Sequence, residues 1–210
     1  MSDVSPRMVT LNVTSGQFVS FAHRLLWDSS QRHLAIATER PGDSWMLHLS
    51  AGLLAAAAFE AYLNYLGEEI LPNVWANERS FFSTPPYQGT GGKLKRIAEE
   101  LEWSLPPTSR KPLSGVIELQ SLRDKMVHAR PKKESYRRVH KEGEFAPVPA
   151  TWLYREAPER RVRALVADVN AFAVSLHNAV LQSEFRNVVF GNHPFLGALG
   201  FGTHTVGPVG

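Results

Sequence analysis

The residues of this chain with the most chemical potential lie close together, in Leu122-Arg123-Asp124-Lys125-Met126-Val127-His128-Ala129-Arg130-Pro131. Asp124 and His128 are four apart, so they share one face of any helix that carries them. A carboxylate so placed can hold one imidazole nitrogen and fix the tautomer. Pro131 pushes the residue before it out of helical geometry, so the helix stops there and His128 falls in its last turn. The negative end of the helix dipole and Asp124 then both favour the charged imidazole. Arg123 stands five residues from His128, about 140° around an ideal helix, so the two converge only through the arginine's length or a loosened last turn. Its planar fork suits a phosphate. The same spacing admits a plainer arrangement, in which Arg123 pairs with an acid such as Glu118 and His128 merely caps the helix.

Other chemistries lack their residues. There is no cysteine, which excludes disulfides, thiol nucleophiles and thiolate metal sites and fits a reducing compartment. Neither Gly-x-Ser-x-Gly nor His-Glu-x-x-His occurs, and no Glu-x-x-His pair supports a di-iron carboxylate centre. Lys93 follows Gly91-Gly92 but precedes Leu94, so this loop is not a P-loop. No metal or cofactor is expected. The net charge is only +3 but uneven: from Arg123 to Arg163 there are 12 Lys and Arg against 6 Asp and Glu. Such a segment either favours a polyanion such as RNA or is a solvated loop. Arg130, Lys132, Lys133, Arg137 and Arg138 are its candidate RNA-binding residues. Tyr136, Trp152 and Tyr154 either stack on bases or pack the segment down.

The elements that must position these residues read as helices. The first is predicted from Thr14 or Ser15, with Phe18, Phe21, Ala22, Leu25 and Leu26 at helical spacing, and it weakens at Asp28-Ser29-Ser30. The second, capped by Asp43 or Ser44, carries the stripe Leu47, Ala51, Leu54, Ala58, Tyr62 and Leu66 and ends at Pro72. Its alanines from Ala55 to Ala58 let a neighbouring helix approach closely. A short third helix spans about Lys93 to Trp103, a fourth starts near Ser114, and the last runs from Pro158 to about Phe185. Residues 131–157 form a basic, partly extended insert, in which Tyr136 to His140 and Trp152 to Tyr154 are the two arms of a possible hairpin. Residues 191–210, with six glycines and two prolines, read as a flexible tail. The expectation is an all-α, up-and-down four- to five-helix bundle over residues 1–190. The apolar run from Leu47 to Leu66 carries Glu60 and reads as a buried core helix rather than a bilayer span. With no secretory signal visible at Met1, a soluble, cytoplasmic protein is expected.

Arg123-Asp124-Lys125-Met126-Val127-His128 resembles the Arg-polar-x-x-x-His motif of the HEPN superfamily, the helical nucleotide-binding domains of higher eukaryotes and prokaryotes. Ala58-Phe59-Glu60-Ala61-Tyr62-Leu63-Asn64 is similar to that family's second helix, which often bears an acid or polar residue facing the active site. The likeness covers roughly residues 15–185 in architecture and is specific at these two motifs; the long basic insert departs from the minimal bundle. The resemblance implies metal-independent RNA cleavage, often by a toxin or defence effector, or else an inactive scaffold or antitoxin partner. It also implies a symmetric dimer and makes Glu60 a candidate pocket residue. The alternatives for Glu60 are a solvent-facing position or neutralisation of a buried arginine.

Two functions follow as expectations. In the first, the 2′-hydroxyl of RNA attacks the adjacent phosphate, His128 moves protons and Arg123 stabilises the phosphate charge, leaving a 2′,3′-cyclic phosphate and a 5′-hydroxyl. One histidine does not readily perform both proton transfers, so two protomers would meet at this helix in a composite site. An antitoxin protein is a further expected partner. In the second, the same residues bind RNA, a nucleotide or an acidic protein without reaction.

Overall fold

A computed structural model describes residues 12–40, 44–130 and 155–208, and side chains within 20–40, 44–130 and 155–200. In chain order the elements are β1 (Asn12–Ser20), α1 (Ala22–Glu39), α2 (Ser44–Ile70), the one-turn helices α3 (Pro72–Trp75) and α4 (Glu78–Phe81), α5 (Gly89–Glu100), α6 (Leu113–Val127), α7 (Glu159–Gln182), a 3-10 turn at Glu184–Asn187 and β2 (Gly200–Pro208). Among the described residues the fold is all-α, apart from two strands that pair with each other.

Helix α2 organises the helical unit, residues 22–197. Ala51, Ala55, Ala58, Phe59, Tyr62, Leu63 and Leu66 are each at most 1% exposed, a burial wider than any one stripe. A helix apolar over so much of its surface must be enclosed, and α1, α5, α6 and α7 all pack on it. Its small residues set how closely they do so. Ser30 of α1 donates directly to the carbonyl of Ala51, 2.8 Å away. At Gly52 an added Cβ would lie 3.3 Å from Val162 of α7 and 3.4 Å from Leu119 of α6. Across from α2, α7 presents Val162, Leu165, Val169, Phe172, Leu176 and Val180, all buried. Each such side chain contributes roughly 1.5–3 kcal/mol. By length and composition α2 and α7 are apolar enough to cross a membrane, with mean hydropathy 1.4, but about half of each apolar window is buried inside this fold.

Helix α6, which carries Arg123, is fixed by a close approach to α7. A Cβ at Gly115 would fall 2.1 Å from the Asp168 carboxylate, so only glycine lets the two helices meet there. The buried face of α6 is Leu113, Gly115, Val116, Leu119 and Leu122.

Four expectations require correction. Residues 12–20 form strand β1, not the start of a helix, and α1 begins at Ala22. The reason is non-local: β1 pairs antiparallel with β2, from Asn12 opposite Pro208 to Ser20 opposite Gly200. The same pairing removes half of the expected flexible tail. The other half packs as well: Phe195 is 2% exposed and stacks on Trp27 at 4.4 Å. The helical unit therefore runs past residue 190. Helix α1 also passes through Asp28-Ser29-Ser30 without a break, because Asp28 pairs with Arg32 at 2.8 Å and Ser30 is satisfied by α2. The expected hairpin lies outside the described residues.

Candidate functional site

Arg123 sits one residue beyond buried Leu122, where α6 turns from core to solvent, and its side chain is 30% exposed. Three residues hold it. Nη2 lies 3.1 Å from Glu60 Oε2 on α2 and donates to Gln120 Oε1 at 3.2 Å. Nε lies 3.1 Å from Asp124 Oδ1, an ion pair without an aligned hydrogen bond. Gln120 in turn donates to the carbonyl of Ala56 at 3.0 Å, so it ties Arg123 to the α2 backbone. Among the described residues Nη1 has no partner, which leaves one edge of the guanidinium open.

Behind Glu60 stands Lys93. Its ammonium is 6% exposed and meets Glu60 Oε1 at 3.5 Å, Asn64 Oδ1 at 2.8 Å and Glu78 Oε1. Two hydrogen bonds and a further ion pair thus surround it, as a buried ammonium requires. Glu60 bridges the two cations, one oxygen to each, so α2, α4, α5 and α6 are linked through one polar chain.

His128 is the C-cap of α6, with φ −102° and ψ 18°. Its backbone N–H donates to the Asp124 carbonyl at 3.0 Å. The Asp124 carboxylate pairs with Arg123, and among the described residues it makes no hydrogen bond or ion pair with the imidazole. His128 is exposed, and among the described residues no hydrogen bond or ion pair reaches its ring. Arg130 is also exposed. Lys132, Lys133, Arg137 and Arg138 lie outside the described residues, as do Tyr136, Trp152 and Tyr154. Glu118 pairs with Arg161 at 2.6 Å, not with Arg123.

No family model, curated protein or solved structure matches this chain. The geometry therefore carries the functional argument alone.

Sequence reasoning missed Lys93, Glu78 and Gln120. Asn64 carried a signal, since it follows Glu60 by four and shares its face of α2. Lys93 had none: a lysine at the predicted start of a short helix carries no mark of burial until α5 is seen to enclose it. Among the described residues no three His, Asp or Glu side chains converge to hold a metal ion.

A second polar cluster lies elsewhere in the same unit. Tyr62 and His177 are both buried, and the Tyr62 hydroxyl sits 2.9 Å from His177 Nδ1. His177 Nε2 lies 3.0 Å from the Gly191 carbonyl, which only accepts, so Nε2 carries the proton and Nδ1 accepts from Tyr62. Arg24, 2% exposed, donates to the carbonyls of Phe190 and His193. Burial, with help from the Arg24 charge, lowers His23 to about 4, and burial lowers His177 and His193 as well.

Proposed function

We propose that this chain is a metal-independent endoribonuclease of the HEPN type, acting as a symmetric dimer in the cytoplasm. The observation that carries the reading is Arg123: a guanidinium anchored by Glu60 and Gln120, with Nη1 unpartnered among the described residues, on a helix that ends in an exposed histidine. Anchoring matters because a cation that needs no reorganisation stabilises developing phosphate charge best. In this reading Arg123 binds the scissile phosphate, and His128 takes the proton of the attacking 2′-hydroxyl or delivers one to the leaving 5′-oxygen. The partner subunit supplies the other proton transfer through its own copy of the histidine. Glu60 and Asp124 orient Arg123 and move no proton. Arg130 and the basic residues Lys132, Lys133, Arg137 and Arg138 hold the flanking backbone by charge. A toxin or defence role with a protein antitoxin accords with the sequence resemblance.

A second reading, a non-catalytic RNA- or protein-binding module, is favoured by one observation: Glu60 and Asp124 both pair with Arg123, as they would in a purely structural ion network. The experiment that separates them is incubation of labelled RNA with the purified protein in EDTA, beside His128→Ala. Cleavage to a 2′,3′-cyclic phosphate that disappears in the variant supports the enzyme. Binding that depends on Arg123 without cleavage supports the module, and cleavage by His128→Ala at the wild-type rate rules this site out.

A further inference from the structure

Beside Arg123 lies an open groove of about 410 Å³ between α5 and α6. Its walls are Leu94, Val116 and Ile117, with buried Phe59 also lining it, and its polar groups include Ser121 and Asp124. Asp124 and Gln120 line the groove and also contact Arg123, so the guanidinium stands one side chain away from it. The volume falls in the range of small-ligand sites, apolar pockets with a few placed polar groups, and it is small for a docked helix. A flat heterocycle joined to a phosphate fits both halves.

We infer that this groove is a nucleobase subsite that selects guanine, and the inference rests on the proposed RNA-cleaving reading. The choice of base follows from Asp124. An ionised carboxylate only accepts hydrogen bonds. Guanine presents two adjacent donors, N1–H and the N2 amino group, to such an acceptor. Adenine and cytosine place a ring acceptor beside their amino group and repel it; uracil has a single N–H between two carbonyls. Asp124 uses Oδ1 for Arg123, which leaves Oδ2 and the spare Oδ1 lone pair to accept from the base. With guanine in the groove and its 3′-phosphate at Arg123, cleavage occurs on the 3′ side of guanosine.

The test is calorimetric titration of guanosine 3′-monophosphate, adenosine 3′-monophosphate, guanosine and ribose 5-phosphate, in EDTA. Ile117 is 46% exposed, so Ile117→Trp fills the groove without entering the core, and Ser121→Tyr does so from another wall. Guanosine 3′-monophosphate should bind about tenfold or more tightly than its adenosine counterpart, as one good paired-edge contact discriminates by that order. Either groove-filling variant should remove that preference and leave ribose 5-phosphate unchanged. Arg123→Ala should weaken both phosphates and spare guanosine. Equal binding of the two nucleotides, indifference to both groove-filling variants, or no binding of guanosine 3′-monophosphate overturns the subsite. Light scattering that shows a dimer lost in Ile117→Trp, with nucleotide binding unaltered, would also overturn it and give the groove to a second copy. Guanosine binding that survives with no Arg123 effect on either phosphate would keep the subsite and remove the phosphate reading.

Discussion

Two arginines, Arg24 and Arg123, anchor two polar clusters in this molecule, and they are built to opposite ends. Arg24 is 2% exposed and donates to backbone carbonyls of the segment after α7, among tyrosines and neutral histidines. Arg123 is 30% exposed and is held by carboxylates and an amide, with one edge unpartnered among the described residues. Carbonyl partners are fixed parts of the chain, so Arg24 latches a segment in place. Carboxylate partners on flexible side chains restrain Arg123 but leave it able to share its protons with a ligand. The difference separates a cation that serves the fold from one that is free to serve a ligand.

The largest expected effect lies at the latch. Phe195→Ala should cost about 4 kcal/mol of unfolding free energy in urea titration, as the loss of a buried aromatic does, while RNA cleavage per folded molecule stays at the wild-type level. If cleavage falls with stability, the two clusters are not separable. Next, Arg123→Ala and His128→Ala should each lower cleavage about 100-fold or more, equivalent to about 2.7 kcal/mol in the barrier, with melting changed little. A variant that melts early instead would make Arg123 a second latch.

The third effect is a pH dependence of stability confined to the Arg24 cluster. Burial holds His23 at about 4 against an ordinary 6.5. The unfolded chain therefore binds a proton that the folded one refuses. Stability is complete above pH 6.5 and declines as pH falls toward 4, by about 2 kcal/mol at pH 5.0 from His23 alone. His177 and His193 act in the same direction. Urea titrations at pH 7.5 and 5.0 check this, and His23→Gln should flatten the difference; equal stability at both pH values would contradict it. The smallest effect is that of Asp124→Asn on cleavage after bases other than guanine, which should change less than about fivefold, because its pair with Arg123 is more than half exposed on the acid's side.

Much of this was legible from local pattern. The stripe on α2, the stripe on α7 and the proline boundaries place the helices, because a helical period repeats within the segment that bears it. Arg123, Asp124, His128 and Glu60 were legible as candidates, and Glu60 proves to neutralise an arginine, one of the arrangements its position allowed. What escaped was non-local. β1 has its partner in residues 200–208, and no local signal distinguishes Phe18 in a strand from Phe18 on a helix. The partner of Asp124 escaped for another reason: a four-residue spacing permits a contact but does not choose it, and the neighbouring Arg123 competes for the same carboxylate.

Lys93 has one more consequence. An amine enclosed by Asn64, Glu78 and Glu60 is closed to an attacking reagent. Acylating reagents will modify the half-exposed amines of Lys95 and Lys125 and pass Lys93 by until α5 lifts away from α2. The rate at which Lys93 becomes labelled thus times the opening of this corner of the bundle, at the residue that braces Glu60 against Arg123.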